Sequence, residues 1–152
     1  MHEIGFIFLK TSHKNTNQTN AIVPFNFYLI SNGGIAMIRK NNEKETVRKP
    51  APFNGVGEIT VRSLLNGPEE MSQKGRVFGH TTVYPNSEIG YHIHTGDSET
   101  YYILSGTGRY NDNGTLVTVS AGDVTYCAPG EGHGLACIGD EPIEMIALIL
   151  YE

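Results

Sequence analysis

The chain has 152 residues, with 18 glycines, two cysteines, no tryptophan and a formal net charge of −5. That is the length of one domain with a substantial core, and glycine at about 12% against a usual ~7% favours tight turns and a β-rich fold. Five of the 11 basic residues (Arg39, Lys40, Lys44, Arg48, Lys49) share one short stretch, and beyond residue 50 four basic residues face thirteen acidic ones, a balance of −9; with no aromatic-plus-basic platform, this excludes nucleic acid as a partner.

Residues 1–36 read differently from the rest. The apolar run from Ile4 to Leu9 is short and has no basic segment before it, so it is a poor signal peptide. AIVPFNFYLI is broken by Pro24 and Asn26 and is far too short to span a bilayer, so no membrane association is expected. Two adjacent glycine codons, Gly33-Gly34, stand just before Met37 and can be written as a bacterial ribosome-binding sequence. One expectation is therefore a native start at Met37 with a translated leader before it; the other is an ordinary N-terminal strand and loop. The coding DNA separates them.

Residues 37–55 are charged and then rich in Pro and Gly (Pro50, Pro52, Gly55), the pattern of an arm leading into the domain at residues 56–152. GEITVRSLL reads as a first strand, NGPEEMSQKG as a polar connection with a single helical turn, and RVFGHTTVY as the next strand. In that strand Phe78, His80, Thr82 and Tyr84 share one face, and Val77, Thr81 and Val83 the other. Pro85-Asn86-Ser87 then turns the chain into GYHIHTGDSETYYILSG. On a strand His92 and His94 point to one side and Ile93 to the other, and TGDS is turn chemistry, so Glu99 opens the returning strand and faces the histidines. Tyr101 and Ile103 follow Glu99 inward, with Tyr102 and Leu104 outside. Asn113-Gly114 is a hairpin signal before TLVTVS. After Ala121-Gly122-Asp123, VTYCA leads to a Gly-rich loop carrying His133, and IEMIALILY closes the chain as a strand expected to be buried on both faces. Nine short strands and no long helix make an all-β barrel or sandwich.

Two imidazoles and a carboxylate on one concave face suit a divalent metal, and His133 supplies a further donor. These residues carry a family resemblance. His92, His94, Glu99 and Gly106 match the first cupin motif, and Gly122, Asp123, Gly130 and His133 match the second, with the proline one place late at Pro129. Asn86 and Cys137 depart from it, at positions where the family has Gly and often Asn. The resemblance covers residues 56–151 and implies a single-domain double-stranded β-helix jelly roll. It also implies His92, His94, Glu99 and His133 as ligands of one divalent transition metal per chain.

Borderline ligands of this kind suit Mn, Fe, Co, Ni or Zn, and Glu99 adds hardness that favours Mn. Further pocket candidates are His80, Tyr101, Arg109 (an anion clamp) and Tyr126. Cys127 and Cys137 read as free thiols of a cytoplasmic protein. The stretch around the ligands is similar to small bacterial cupins of the oxalate decarboxylase type, which implies chelation of a small oxygenated acid, oxalate or a 2-oxo or 2-hydroxy acid, with decarboxylation or dioxygen chemistry. No carboxylate general acid can be named for decarboxylation. A non-catalytic binder of metal or small ligand and a sugar isomerase are the other readings, and open strand edges with outward apolar residues imply a homodimer.

Overall fold

The computed structural model describes residues 27–29 and 35–152. Of the expected leader, residues 1–36, only two short strands are described, β1 (Phe27–Leu29) and β2 (Ile35–Met37), paired antiparallel; the rest, and with it the question of the start, lies outside the described residues. The nine strands expected from the alternation pattern are all present: β4 (Glu58–Leu65), β5 (Gly75–Val83), β6 (Glu88–Ile93), β7 (Asp97–Ser105), β8 (Thr107–Asp112), β9 (Thr115–Ser120), β10 (Val124–Cys127), β11 (Gly132–Cys137) and β12 (Ile143–Tyr151). The helical turn falls at α1 (Gly67–Glu70). Part of the stretch read as an arm is regular too: β3 (Thr46–Pro50) pairs antiparallel with β4, and Pro52–Asn54 forms a 3-10 turn.

Ten strands form two antiparallel sheets, ordered β10-β7-β12-β5-β4-β3 and β6-β11-β8-β9. This is the all-β double-stranded barrel the sequence leads one to expect. Strands with one apolar face bury it against each other: Ile59, Val83, Tyr101, Ile103, Ile143 and Met145 from the larger sheet meet Ile89, Tyr110, Val119 and Leu135 from the smaller. β12 corrects one expectation. It is not buried on both faces; Ile143, Met145, Ala147 and Ile149 are buried while Ile146 and Leu148 on the other face are half-buried. Its apolar run reflects a strand whose outward residues Ile146 and Leu148 are apolar as well, not a strand covered on both sides.

Two departures from the family pattern have physical explanations. Asn86 adopts φ +60°, the left-handed conformation that glycine takes at no steric cost and that asparagine tolerates best among other residues. Cys137 sets its thiol against the carbonyl oxygens of Glu141 (3.3 Å) and Gly139 (3.7 Å), where a polar side chain would also bond. Both cysteines are buried and free.

One bulge matters for the site. Ile149 of β12 faces Val77 of β5, but Leu150 faces Gly75, so Arg76 is an extra residue between them. A bulge breaks the strict alternation of side chains and re-aims the extra one. Arg76 uses this to place Nε 2.6 Å from Asp97 Oδ2, on the far side of β12.

Candidate metal centre

The two sheets contribute different donors to one point. His92 on β6 lies directly across from His133 on β11, so the pairing register turns both imidazoles to the same face. His94 sits one residue past β6, where its backbone bonds to the Gly-rich loop: its N–H donates to Glu131 O (2.9 Å) and its carbonyl accepts from Gly130 N–H (2.8 Å). The chain then turns through Gly96, at φ +74°, into the larger sheet, where Glu99 faces back from β7. The ligand atoms of His92, His94, Glu99 and His133 all lie within 4.8 Å of one another. Glu99 Oε2 is 3.8 Å, 3.3 Å and 2.9 Å from the Nε2 atoms of His92, His94 and His133.

Each imidazole is held from behind through Nδ1. His92 Nδ1 is 3.0 Å from Gly90 O, His94 Nδ1 is 2.6 Å from Asp97 Oδ1, and His133 Nδ1 is 2.9 Å from the Tyr110 hydroxyl. A proton on Nδ1 leaves the Nε2 lone pair available, which is the tautomer a metal needs. Three Nε2 atoms and one carboxylate, nearly all buried and converging within bonding range of a single point, fit a divalent transition metal.

Two of the donors, His92 and Glu99, line a cavity of about 100 Å³ together with Tyr101, Thr81, Lys49 and Arg76 and otherwise apolar side chains. That is well below the roughly 300–1,000 Å³ of pockets for drug-sized ligands.

The family's profile, described as Cupin domain, matches residues 79–149. Over 117 residues, 77% of this chain and 96% of the relative, the sequence is 36% identical to a protein of Thermotoga maritima named Oxalate-binding protein. The chain is a cupin. Its fold is similar to the crystal structure of a predicted oxalate decarboxylase of Thermotoga maritima, with TM-score 0.72 and 35% identity over 76% of this chain and all of that one. A cupin domain from Schizosaccharomyces pombe, 12% identical, shares the fold with TM-score 0.62 over 85% of this chain and 87% of its own.

The electrostatics of this cupin's centre follow from burial and the four-way cluster. Burial pushes the Glu99 carboxyl up, but the hydrogen bonds from His133, His92 and His94 together outweigh it and hold the group well below the usual carboxylate range. His94 is raised, first by its bond to Glu99, against the opposing effect of burial, with Asp97 adding to the rise. His133, more deeply enclosed, is lowered by burial in spite of Glu99. Burial raises Asp97, and the bonds from Arg76 and His94 reverse that, leaving it lowered. Tyr101, whose hydroxyl donates to Glu99 Oε2 at 3.0 Å, is pushed well above 10 by burial and then by Glu99, so it stays a neutral donor.

The four residues read from the sequence as ligands come together, and Tyr101 lines the cavity beside them. The other three pocket candidates lie elsewhere. His80 is on the outer face of β5, with Nε2 2.7 Å from Glu144 Oε2 in a network that includes Thr82 and Arg62; strand alternation puts it opposite the cavity-facing Val77 and Thr81. Arg109 is exposed on β8, on the face opposite buried Tyr110. Tyr126 is 59% exposed on the edge strand β10 and lines a second hollow, with Val117, Val124 and Thr125. Cys127 is a buried thiol, pushed up to about 11 by burial and nearby carboxylates, and so unreactive.

The sequence reading passed over Asp97, Tyr110, Arg76 and Phe53. Phe53, from the 3-10 turn, stacks flat on His92 with ring centroids 3.7 Å apart and planes within 6°. Asp97 had a signal, a carboxylate three residues after a ligand histidine, but within TGDS it reads as turn chemistry. Tyr110, Arg76 and Phe53 reach the site through sheet register, a bulge and a strained turn, which leave no local pattern.

Proposed function

We propose that this cupin holds one divalent transition metal on His92, His94, Glu99 and His133, and uses it to bind a small oxygenated acid such as oxalate or a 2-oxo or 2-hydroxy acid. The observation that carries this is the convergence of four tethered donors, two of which, His92 and Glu99, line a small and otherwise mainly apolar cavity. The relatives named for oxalate support the ligand class. When bound, the ion supplies positive charge and coordination to the acid's oxygens; Glu99 gives the donor set an oxygen that favours Mn.

The chain's own residues do the rest. Gly90, Asp97 and Tyr110 fix the rings, Tyr101 keeps Glu99 oriented through its hydroxyl, and the apolar walls Ile59, Val61, Ile89 and Ile149 exclude water. Binding without turnover is the favoured activity. Protonating a carbanion after loss of CO2 needs a general acid, and the cavity-lining residues include no carboxyl group other than Glu99, which is held ionised. Decarboxylation by a carboxylic general acid in this cavity therefore stands behind binding.

Calorimetric titration of oxalate into metal-loaded and metal-stripped protein tests the reading. Tight binding to the loaded form alone is the expected result. Equal affinity in the two forms would show that the acid does not bind through the metal centre.

A further inference from the structure

We propose that Lys49 and Arg76 form a carboxylate-recognition pair in the cavity, so that this cupin selects its ligand by negative charge as well as by chelation. The inference rests on the metal-centred ligand site proposed above and names the residues that make it specific for anions.

Cations are scarce in this domain, and their placement is selective. Of the four basic residues beyond residue 50, Arg62 donates to Thr82 in the outer-face network, Arg109 is exposed on the outside of β8, and Lys74 sits in the exposed connection before β5. Arg76 alone among them lines the cavity. The bulge in β5 aims it, and Nε is anchored to Asp97 Oδ2 at 2.6 Å. That single anchor uses one of five guanidinium N–H donors, and no other partner of Arg76 is found among the described residues. The Nη edge is thus available to a second carboxylate, in the fork geometry that suits one.

Lys49 arrives from the other side. It pairs with Ile59 across β3 and β4, and paired residues face the same way; both line the cavity. Its neighbours in the basic stretch are committed, Arg39 to Glu70 at 2.8 Å and Arg48 to Glu58. Lys49 has no ion pair or hydrogen bond among the described residues. Two cations with spare donors, both partly open to solvent, therefore line a small cavity together with His92 and Glu99 of the candidate metal centre, in a domain whose remaining charge repels anions. Close contacts of this kind outweigh a diffuse field screened over about 8 Å at physiological salt. The chemical class selected is a small carboxylate, with a dianion preferred over a monoanion of the same skeleton.

The test compares oxalate with oxamate, which replaces one carboxylate by an amide, in calorimetric titrations of metal-loaded wild type, Lys49→Gln, Arg76→Gln and Arg76→Lys. Metal content is measured alongside by elemental analysis. Lys49→Gln should keep its metal yet lose about tenfold in oxalate affinity, the effect of one charge-assisted contact, with a much smaller loss for oxamate. Arg76→Gln should lose the preference as well, and Arg76→Lys should restore part of it. A preference for oxalate that survives in both Gln variants overturns the pair, as does failure of the wild type to bind either anion. Should wild type bind oxalate equally with and without metal, the metal-centred reading fails, while selective losses in both Lys49→Gln and Arg76→Gln would still establish the cation pair.

Discussion

Each histidine of the centre is held by a different kind of partner: a backbone carbonyl for His92, a carboxylate for His94 and a phenol for His133. The carboxylate is the strongest of these, because it fixes the ring and raises the basicity of the nitrogen that would bind a metal. Asp97→Asn should therefore lower metal affinity by about 10- to 100-fold with the fold intact. Competition with a chromophoric chelator reads this directly, and an unchanged affinity would reduce Asp97 to a turn residue. Protons compete for the same nitrogens. Because His94 is raised above its ordinary value of 6.5 by Glu99 and Asp97, its competition with metal begins above pH 6.5 as the solution is acidified. In the metal-free protein, protonated His94 stabilises the fold below 6.5, and that contribution is lost as pH rises through its folded pKa. Asp97 and Glu99 are lowered, so their contribution is present above their ordinary values of 3.8 and 4.5 and lost only as pH falls through the lower folded values. His133, lowered by burial, opposes folding once it is forced to protonate. The thermal stabilisation conferred by metal should thus shrink steadily from pH 7.5 to 5.5, as seen in melts of loaded and stripped protein. A gap that stays constant across that range would contradict the assignment of His94 as a ligand. At this scale the donors were legible, since strand periodicity puts His92 and His94 on one side, the TGDS turn brings Glu99 back to face them, and His133 follows in the second motif. Their tethers were not, because Tyr110 meets His133 only through the pairing of β8 with β11.

The 3-10 turn that brings Phe53 onto His92 is built on strain. Ala51, Phe53 and Asn54 all have positive φ, at +41°, +53° and +59°, where each non-glycine residue costs roughly 1–2 kcal/mol. The turn is held by an unusually close approach to β6: a Cβ on Gly90 would stand 2.2 Å from Phe53 O, and one on Gly55 would stand 2.2 Å from Glu88 O. Both obstacles are backbone and cannot swing aside. Gly90→Ala should therefore lift the turn off β6 and destabilise the protein by about 1–3 kcal/mol, with increased exposure of His92. A lower melting temperature together with faster modification of His92 by diethyl pyrocarbonate is the expected outcome; an unperturbed melt would show that the turn is not seated as described. The same segment shows why part of the fold was illegible. β3 reads TVRKP and is exposed along its whole length, so it has no apolar alternation to mark it, and the prolines after it look like a linker. The inward strands β7 and β12 were easy to read because one side of each is buried.

Across the molecule, the outer face of the larger sheet carries, beside the polar network of His80, Thr82 and Glu144, an apolar patch that calls for a partner. Leu148 pairs with Phe78 on one side and Ile146 with Tyr102 on the other, in rows across β5, β12 and β7. Tyr102 and Leu104 are 45% and 43% exposed. The face is expected to meet its copy across a two-fold axis, an isologous contact of the commonest kind. Light scattering at micromolar concentration should give the mass of a dimer for wild type and of a monomer for the Tyr102→Glu, Leu104→Glu double variant; a wild-type monomer would contradict the expectation. No helix among the described residues is long and apolar enough to cross a membrane. The barrel itself was readable because two motifs far apart in sequence, each of which crosses from one sheet to the other, complete a single donor set. What the cavity selects was not, since its walls come from strands far apart in sequence. The most direct measurement of the central claim is the metal content of purified protein and of His94→Ala, with circular dichroism to confirm that both are folded. One divalent transition metal per chain in the wild type, and a strong loss in the folded variant, is the predicted result. Equal metal content in the two would contradict it.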